Sequence, residues 1–113
     1  MPPRSQKHRL ADIVEMIDRV YTYTKGDLSR ALEDGVVRDA VLYNLTIVGE
    51  AAKHVSEDVR QRAPEVNWSG AAGLRDVLIH RYHRTDMTVI AALDDALKTT
   101  KAGVERLLHE LDG

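Results

Sequence analysis

Apolar residues recur every three or four positions along almost the whole of this chain. The recurrence is clearest in residues 37–59, where the apolar positions are Val37, Val41, Leu45, Val48, Ala52, Val55 and Val59. Because residues at this spacing lie on one face of an α-helix, the pattern predicts amphipathic helices that bury a common apolar surface. Strands would instead alternate with a period of two, and they favour aromatic residues, of which the chain has only four tyrosines and one tryptophan. The pattern therefore indicates an all-α fold.

Capping and helix-breaking residues divide this pattern into segments. The first helix is predicted over residues 7–24, and a long third helix follows a short second one. No repeat, linker or low-complexity stretch interrupts the chain, so we expect residues 1–113 to form one domain, an antiparallel up-and-down bundle of four to five helices. The predicted boundaries are helix ends at Gly26 and Pro64, a kink at Ser56, and N-caps at Asp27, at Asn67 or Ser69, and at Thr85.

Three polar or small residues stand out in the predicted third helix. Gly49 lies in its middle, where glycine costs about 1 kcal/mol relative to alanine, so we predict a close crossing with another helix there. Glu50 is interpreted as part of a surface ion pair, with a second possibility that it holds Arg75. Asn44 lies on the apolar stripe and is expected to make a buried polar contact, at a dimer interface.

The bulk composition excludes several classes of function. A net charge of −2 argues against a protein that coats nucleic acid through a general basic excess, although a local basic cleft is compatible with it. The absence of cysteine rules out disulfides and thiolate chemistry. The N-terminal residues lack the apolar run of a signal peptide, and no segment is long enough to cross a bilayer. We therefore expect a cytoplasmic protein without a membrane partner.

Cations and titratable rings are concentrated in the stretch GLRDVLIHRYHRTD, residues 73–86. Within one helix, Arg75 and Tyr82 share a stripe, and Asp76 and His80 share the neighbouring stripe. A carboxylate one turn from an imidazole can accept its N–H and fix its tautomer. The plainer interpretation is a solvated helix end, in which Arg75 pairs with Asp76 or with a glutamate elsewhere. The residues alone leave both interpretations open.

These residue types suit the cleavage of RNA without a metal. Histidine can remove the proton of the 2′-hydroxyl or protonate the leaving oxygen, and arginine can bind phosphate oxygens through two parallel hydrogen bonds. One chain offers only one well-placed pair, Arg75 and His80, so the chemistry predicts a homodimer with a composite cleft. His80 and His83 with Asp76 or Asp86 form only a loose set, and no glycine-rich phosphate loop occurs, so we expect no metal and no cofactor.

The spacing Arg75-x4-His80-x-Tyr82 resembles the motif of HepT-like proteins in the HEPN superfamily. The preceding block resembles the same family in its NLTIVGEAAK core and its PEVNW turn, and the likeness extends over about residues 40–111. The resemblance implies a dimeric helical bundle and a metal-independent endoribonuclease site formed by Arg75 and His80. It also implies a toxin–antitoxin pair, in which a partner nucleotidyltransferase antitoxin, similar to MntA, adenylylates Tyr82.

The sequence departs from the family motif at Asp76, where asparagine is common. Aspartate can orient His80, but its charge repels RNA phosphate. A competing hypothesis is therefore a non-catalytic module that holds a nucleotide or a partner for a separate nucleotidyltransferase, and a third is a purely structural helical dimer. Trp68 is expected to cover the core, with base stacking as the lesser alternative. The remaining candidates, predicted to bind RNA phosphate or simply to be solvated, are Arg81, His83 and Arg84.

Overall fold

The computed structural model of the chain describes residues 3–83 and 88–112, and the side chains of residues 6–78 and 88–112. The described residues contain eight helices and no strand, so the predicted all-α class is confirmed. Three helices of 19 or more residues correspond to predicted periodic segments, one helix has 10 residues, and the other four have four or five. In chain order they are α1 Pro3–Thr24, α2 Arg30–Glu33, α3 Gly35–Lys53, α4 Glu57–Gln61, α5 Trp68–Ala72, α6 Leu74–His83, α7 Thr88–Ala91 and α8 Asp94–Asp112.

The core lies where α1 packs against α3 and α8. The start of α1 meets the end of α3, because the Gln6 Nε2 donates to the carbonyl oxygen of His54 at 3.2 Å. It also meets the end of α8, where Lys7 pairs with Asp112 at 2.9 Å. Both neighbours therefore run antiparallel to α1. The fully buried side chains at this junction are Leu10, Ile13, Ile17, Val20, Val41, Leu45, Val48, Val104 and Leu107.

The predicted end of α1 is confirmed. Lys25 and Gly26 both have positive φ angles, 53° and 83°, and the Gly26 N–H donates to the carbonyl oxygen of Tyr21 at 2.9 Å. This hydrogen bond satisfies one of the carbonyl groups that a helix end leaves without a partner. The start of α1 is earlier than predicted, at Pro3 rather than at residue 7.

The predicted N-cap at Asn67 is confirmed, and a helix begins at the predicted kink, Ser56. The Ser56 hydroxyl accepts the N–H of Val59 at 3.4 Å, although a full break separates α3 from α4 where the sequence suggested a kink. The Asn67 side chain accepts the N–H of Gly70 at 2.9 Å and begins α5.

Other boundaries differ from the prediction. Asp27 binds the N–H and hydroxyl of Ser29, just before α2, and α3 is capped by Asp34, which the sequence reasoning missed. The predicted fourth helix is two helices, α5 and α6, which meet at Gly73. The predicted fifth helix is likewise divided into α7 and α8. The cap predicted at Thr85 lies outside the described residues.

None of the helices in the described part of the chain combines the length and the apolar character that crossing a bilayer requires.

Candidate functional site

Among its described side chains, helix α6 buries one face against the bundle. Leu74 and Leu78, one turn apart, are 8% and 2% exposed and belong to the core. Between them, Arg75, Asp76 and Val77 are exposed. The apolar pair therefore fixes the helix while leaving the first polar residues of the predicted motif at the surface.

Gly49 brings the backbone of α3 against the start of α6. A Cβ atom at this position would lie 3.0 Å from the backbone nitrogen of Arg75 and 3.3 Å from the carbonyl oxygen of Ala71. These distances are shorter than ordinary van der Waals contact, so only glycine lets the two helices approach this closely. The predicted close crossing at Gly49 is confirmed, and it places Arg75 beside the next residue of α3, Glu50.

The guanidinium of Arg75 lies near two carboxylates without contacting either closely. Its Nε atom is 4.0 Å from Glu50 Oε1, and its Nη1 atom is 3.9 Å from Asp76 Oδ1. Among the described side chains, none forms a hydrogen bond with it, and 45% of the Arg75 side chain is exposed. At such distances the carboxylates attract the cation but do not occupy its N–H donors. Within the described residues, the donors of Arg75 therefore remain available to an anion from solution.

Glu50 also lies near a second side chain, that of His54. Its Oε2 atom lies 3.8 Å from the Nε2 atom of His54, which is four residues further along the chain, where α3 ends. The partners of Glu50 are thus Arg75 and His54. Glu50 is 47% exposed, as expected of a surface ion pair, and one of its two neighbours is Arg75; its role in holding Arg75 stays a prediction.

The other predicted site residues are described only in part. The α6 backbone is helical through His83, so positions 75, 76, 80 and 82 follow one another on a single helix. The side chains of His80, Arg81, Tyr82 and His83, and the whole of Arg84, lie outside the described residues. The predicted pairing of Asp76 with His80, the role of Tyr82 and the phosphate contacts of Arg81, His83 and Arg84 therefore stay predictions.

The structure tests the predicted absence of a metal site only in part. Within the described residues, no three histidine or carboxylate side chains lie close enough together to hold a metal ion. The side chains of His80 and His83 and the residue Asp86 are not among them. The expectation of a site without metal therefore stays a prediction.

Three exposed apolar side chains on α3 and α6 were not predicted from the sequence. Val36 and Tyr43 on α3 are 80% and 65% exposed, and Val77 on α6 is 44% exposed. Tyr43 also lines an open groove between α3 and α6, together with Leu78. The available signal was the seven-residue spacing of Val36 and Tyr43, which places them on one face of α3 beside its core stripe.

Trp68 and Asn44 are buried. The Trp68 indole is 7% exposed and donates to the carbonyl oxygens of Arg60 and Ala63 at 3.1 and 3.0 Å, so it covers the core and is closed to a nucleic-acid base. Asn44 is 3% exposed; its Nδ2 donates to the carbonyl oxygen of Ala40 at 2.7 Å, while its Oδ1 has no partner in the described part of the structure. Its predicted burial is confirmed, and its place at a dimer interface stays a prediction.

Comparison with known proteins yields one family. The family described as "Ribonuclease HepT-like" matches residues 12–108. Among similar proteins, "Putative RNase MJ1380" of Methanocaldococcus jannaschii is 35% identical over 99% of this chain and 98% of its own length. "Probable ribonuclease HepT" of Thermococcus cleftensis is 33% identical over 92% of this chain and 96% of its own length. No solved structure matches the chain.

Proposed function

This chain belongs to the HepT-like ribonuclease family, and on that basis we propose that it is a metal-independent endoribonuclease, the toxin of a two-component toxin–antitoxin system. The observation that carries the proposal is the state of Arg75. Its guanidinium is half-exposed, lies at a crossing of two packed helices, and has no hydrogen bond to any described side chain. An arginine in this state suits a phosphodiester, whose oxygens it can bind in pairs.

In the proposed reaction, an imidazole of His80 removes the proton of an RNA 2′-hydroxyl, and the resulting oxygen attacks the adjacent phosphorus. A second, protonated imidazole donates its proton to the leaving 5′-oxygen as the P–O bond breaks. Arg75 stabilises the negative charge that builds on the phosphate oxygens between these two events. No metal and no cofactor take part.

Because the reaction needs two imidazoles, we infer a homodimer in which each protomer contributes one His80 and one Arg75. The exposed side chains of Val36, Tyr43 and Val77 support this arrangement. They lie on α3 and α6, the helices that also carry Glu50 and Arg75, and apolar side chains of this size at the surface commonly mark protein interfaces. A twofold contact through α3 and α6 would place the two copies of α6, and with them the two motifs, near each other.

Regulation is proposed to act through Tyr82. A separately encoded nucleotidyltransferase would transfer AMP from ATP to the tyrosine hydroxyl and release pyrophosphate. The added phosphate would compete with RNA for Arg75, which lies seven residues away on the same stripe of α6. The nucleotidyltransferase is therefore the proposed partner and antitoxin.

The test of the proposed function is cleavage of RNA by the purified chain in the presence of a metal chelator. We expect the wild type to cut and to leave a 2′,3′-cyclic phosphate, and we expect His80→Ala to lose roughly 100-fold or more in rate while keeping its helical content and its dimer mass. The enzyme proposal fails if the wild-type dimer leaves RNA intact under these conditions. It also fails if His80→Ala cuts at the wild-type rate.

One observation favours the second candidate, a non-catalytic module that holds a nucleotide or a partner. Arg75 has two carboxylates near it, Glu50 and Asp76, and both repel RNA phosphate. Induced expression without the partner gene separates the two candidates. A ribonuclease toxin arrests growth, and the His80→Ala variant does not, whereas a binding module has no effect in either form.

A further inference from the structure

We propose that Glu50 is a positioning residue of this site, which holds the guanidinium of Arg75 in the orientation that a scissile phosphate requires. The inference rests on the proposed ribonuclease function and adds to it a residue outside the Arg-x4-His-x-Tyr motif. It is carried by three features of the α3–α6 crossing, namely the atoms that Glu50 approaches, the absence of a side chain at Gly49 and the distances involved.

The first feature is the side of the guanidinium that Glu50 approaches. Its Oε1 atom faces Nε, the nitrogen closest to the helix, at 4.0 Å. A carboxylate at Nε restrains the plane of the guanidinium and leaves the edge formed by Nη1 and Nη2 open for two parallel hydrogen bonds to phosphate oxygens. Asp76 Oδ1 lies 3.9 Å from Nη1, too far for a hydrogen bond to occupy that donor, and its side chain is 67% exposed.

The second feature is the restraint on Glu50 itself. Its Oε2 atom lies 3.8 Å from His54 Nε2, so the two oxygens of one carboxylate face two different side chains. Gly49, the preceding residue, allows the backbone of Arg75 to lie against α3. Glu50 therefore approaches Arg75 across a helix contact whose backbone spacing is set by the packing at Gly49.

The third feature is that these distances make Glu50 a poor stabilising residue. Exposed ion pairs stabilise a fold by about 0–1 kcal/mol. A half-exposed pair at 4.0 Å therefore contributes little to the free energy of unfolding. The contact is also too long to occupy the N–H donors of Arg75. Orienting the cation is consistent with both properties, whereas a structural ion pair would be short and would use those donors.

The alternative role for Glu50 is simple repulsion of RNA, and it predicts the opposite kinetic effect. If Glu50 only repels phosphate, removing its charge lowers KM and leaves kcat unchanged. If Glu50 orients Arg75 for the transition state, removing its charge lowers kcat, and KM stays constant or falls. The separation of kcat from KM therefore decides between the two roles.

The first experiment measures RNA cleavage by the full-length dimer with Glu50→Gln and Glu50→Asp. We expect Glu50→Gln to lower kcat roughly 10-fold without raising KM, and Glu50→Asp, which keeps the charge but reaches less far, to give an intermediate loss. The matched control is Glu15→Gln, because Glu15 forms an exposed pair with Arg19 on α1 at 2.9 Å, remote from α6. We expect the control to cut at the wild-type rate, and all variants to unfold at the wild-type temperature.

The second experiment does not depend on activity. The Nε–H signal of Arg75, identified by its loss in Arg75→Lys, is followed by nuclear magnetic resonance at mildly acidic pH. We expect Glu50→Gln to shift this signal and to increase the mobility of the bond, and Glu15→Gln to leave it unchanged. An Arg75 signal that ignores Glu50→Gln overturns the inference, and so does an unchanged kcat. If Glu50→Gln shifts the Arg75 signal but the protein cuts no RNA, the contact of Glu50 with Arg75 is supported and only the proposed ribonuclease function is overturned.

Discussion

The two sides of the bundle use the same kinds of charged residues in different ways. On the side formed by α1 and α8, the ion pairs are short: Lys101 Nζ lies 2.6 Å from Asp18, and Arg106 Nη2 lies 2.9 Å from Glu65. On the side formed by α3 and α6, the distances from Arg75 to its two carboxylates are 3.9 and 4.0 Å. Exposure does not explain the difference, because the side chains of Arg106 and Arg75 are 42% and 45% exposed.

The difference lies in whether the donors of each arginine are occupied. Arg106 donates to the Arg62 carbonyl oxygen and to the carboxylates of Glu65 and Glu110, all at 2.9 to 3.1 Å. The hydrogen bond with Glu65, followed by that with Glu110, raises the pKa of Arg106 above its usual value. Arg75 has no such hydrogen bond in the part of the chain that the structure describes. Arg106 therefore joins α8 to the segment before α5, whereas no described residue uses the donors of Arg75 in this way.

The largest expected effect separates these two arginines by activity. We expect Arg75→Ala to lose roughly 100-fold or more in kcat/KM, as when a donor that stabilises developing negative charge is removed, with an unchanged midpoint of thermal unfolding. We expect Arg106→Ala to lower that midpoint and to leave kcat/KM of the folded dimer unchanged. RNA cleavage and circular dichroism on the same preparations measure both quantities. If Arg75→Ala and Arg106→Ala lost equal amounts of kcat/KM, the proposed functional difference between the two arginines would be wrong.

A smaller effect concerns two glycines near α6, Gly49 at the α3–α6 crossing and Gly73 between α5 and α6. A Cβ at Gly49 would meet backbone atoms at 3.0 and 3.3 Å, and packed backbone cannot rotate aside. We expect Gly49→Ala to destabilise the fold by roughly 1 kcal/mol, because crowding of about 1–3 kcal/mol outweighs the gain of about 1 kcal/mol in helix propensity.

The matched control for this variant is Gly73→Ala. Its nearest neighbours would lie at 3.4 and 3.7 Å, and its φ of −84° suits alanine. We expect Gly73→Ala to be neutral or to stabilise by up to about 1 kcal/mol. Urea unfolding curves measure both variants, and a Gly49→Ala protein as stable as Gly73→Ala would contradict the close crossing.

Most of the fold could be predicted from the sequence because it depends on local signals. Periodicity identified α1, α3 and α8, and side chains that bind their own backbone identified the caps at Ser56 and Asn67. The breaks that were missed have weaker signals. At Gly73 no proline or strong cap marks the sequence, and the turn between α5 and α6 depends on how both helices pack against α3.

The candidate site could be predicted only in part. Gly49 indicated a helix crossing because a glycine in mid-helix needs a tertiary reason, but the sequence does not say which helix approaches. Glu50 and Arg75 are far apart in the sequence, so their proximity depends on the angle and offset at which α3 and α6 pack. The exposure of Tyr43 could not be predicted either, because a tyrosine beside an apolar stripe can be buried or exposed, depending on which helix packs next to it.

The smallest expected effect is the response of the α1–α8 side to acid. The hydroxyl of Tyr21 donates to Asp94 at 2.6 Å and, with Lys98, lowers the pKa of that carboxyl; Arg106 lowers the pKa of Glu65 in the same way. An acid whose pKa is lower in the folded chain adds stability above its ordinary pKa of about 4 and loses that stability as the pH falls through the lowered value. We therefore expect the unfolding midpoint to fall steadily below about pH 4, and we expect Tyr21→Phe and Arg106→Ala each to flatten this fall. Their effects should add, because the two pairs lie at separate positions along α8. A pH profile that neither variant changes would show that the short contacts of this side do not set its stability. The contrast with Arg75, which forms no such hydrogen bond with a described residue, would then have no consequence for stability.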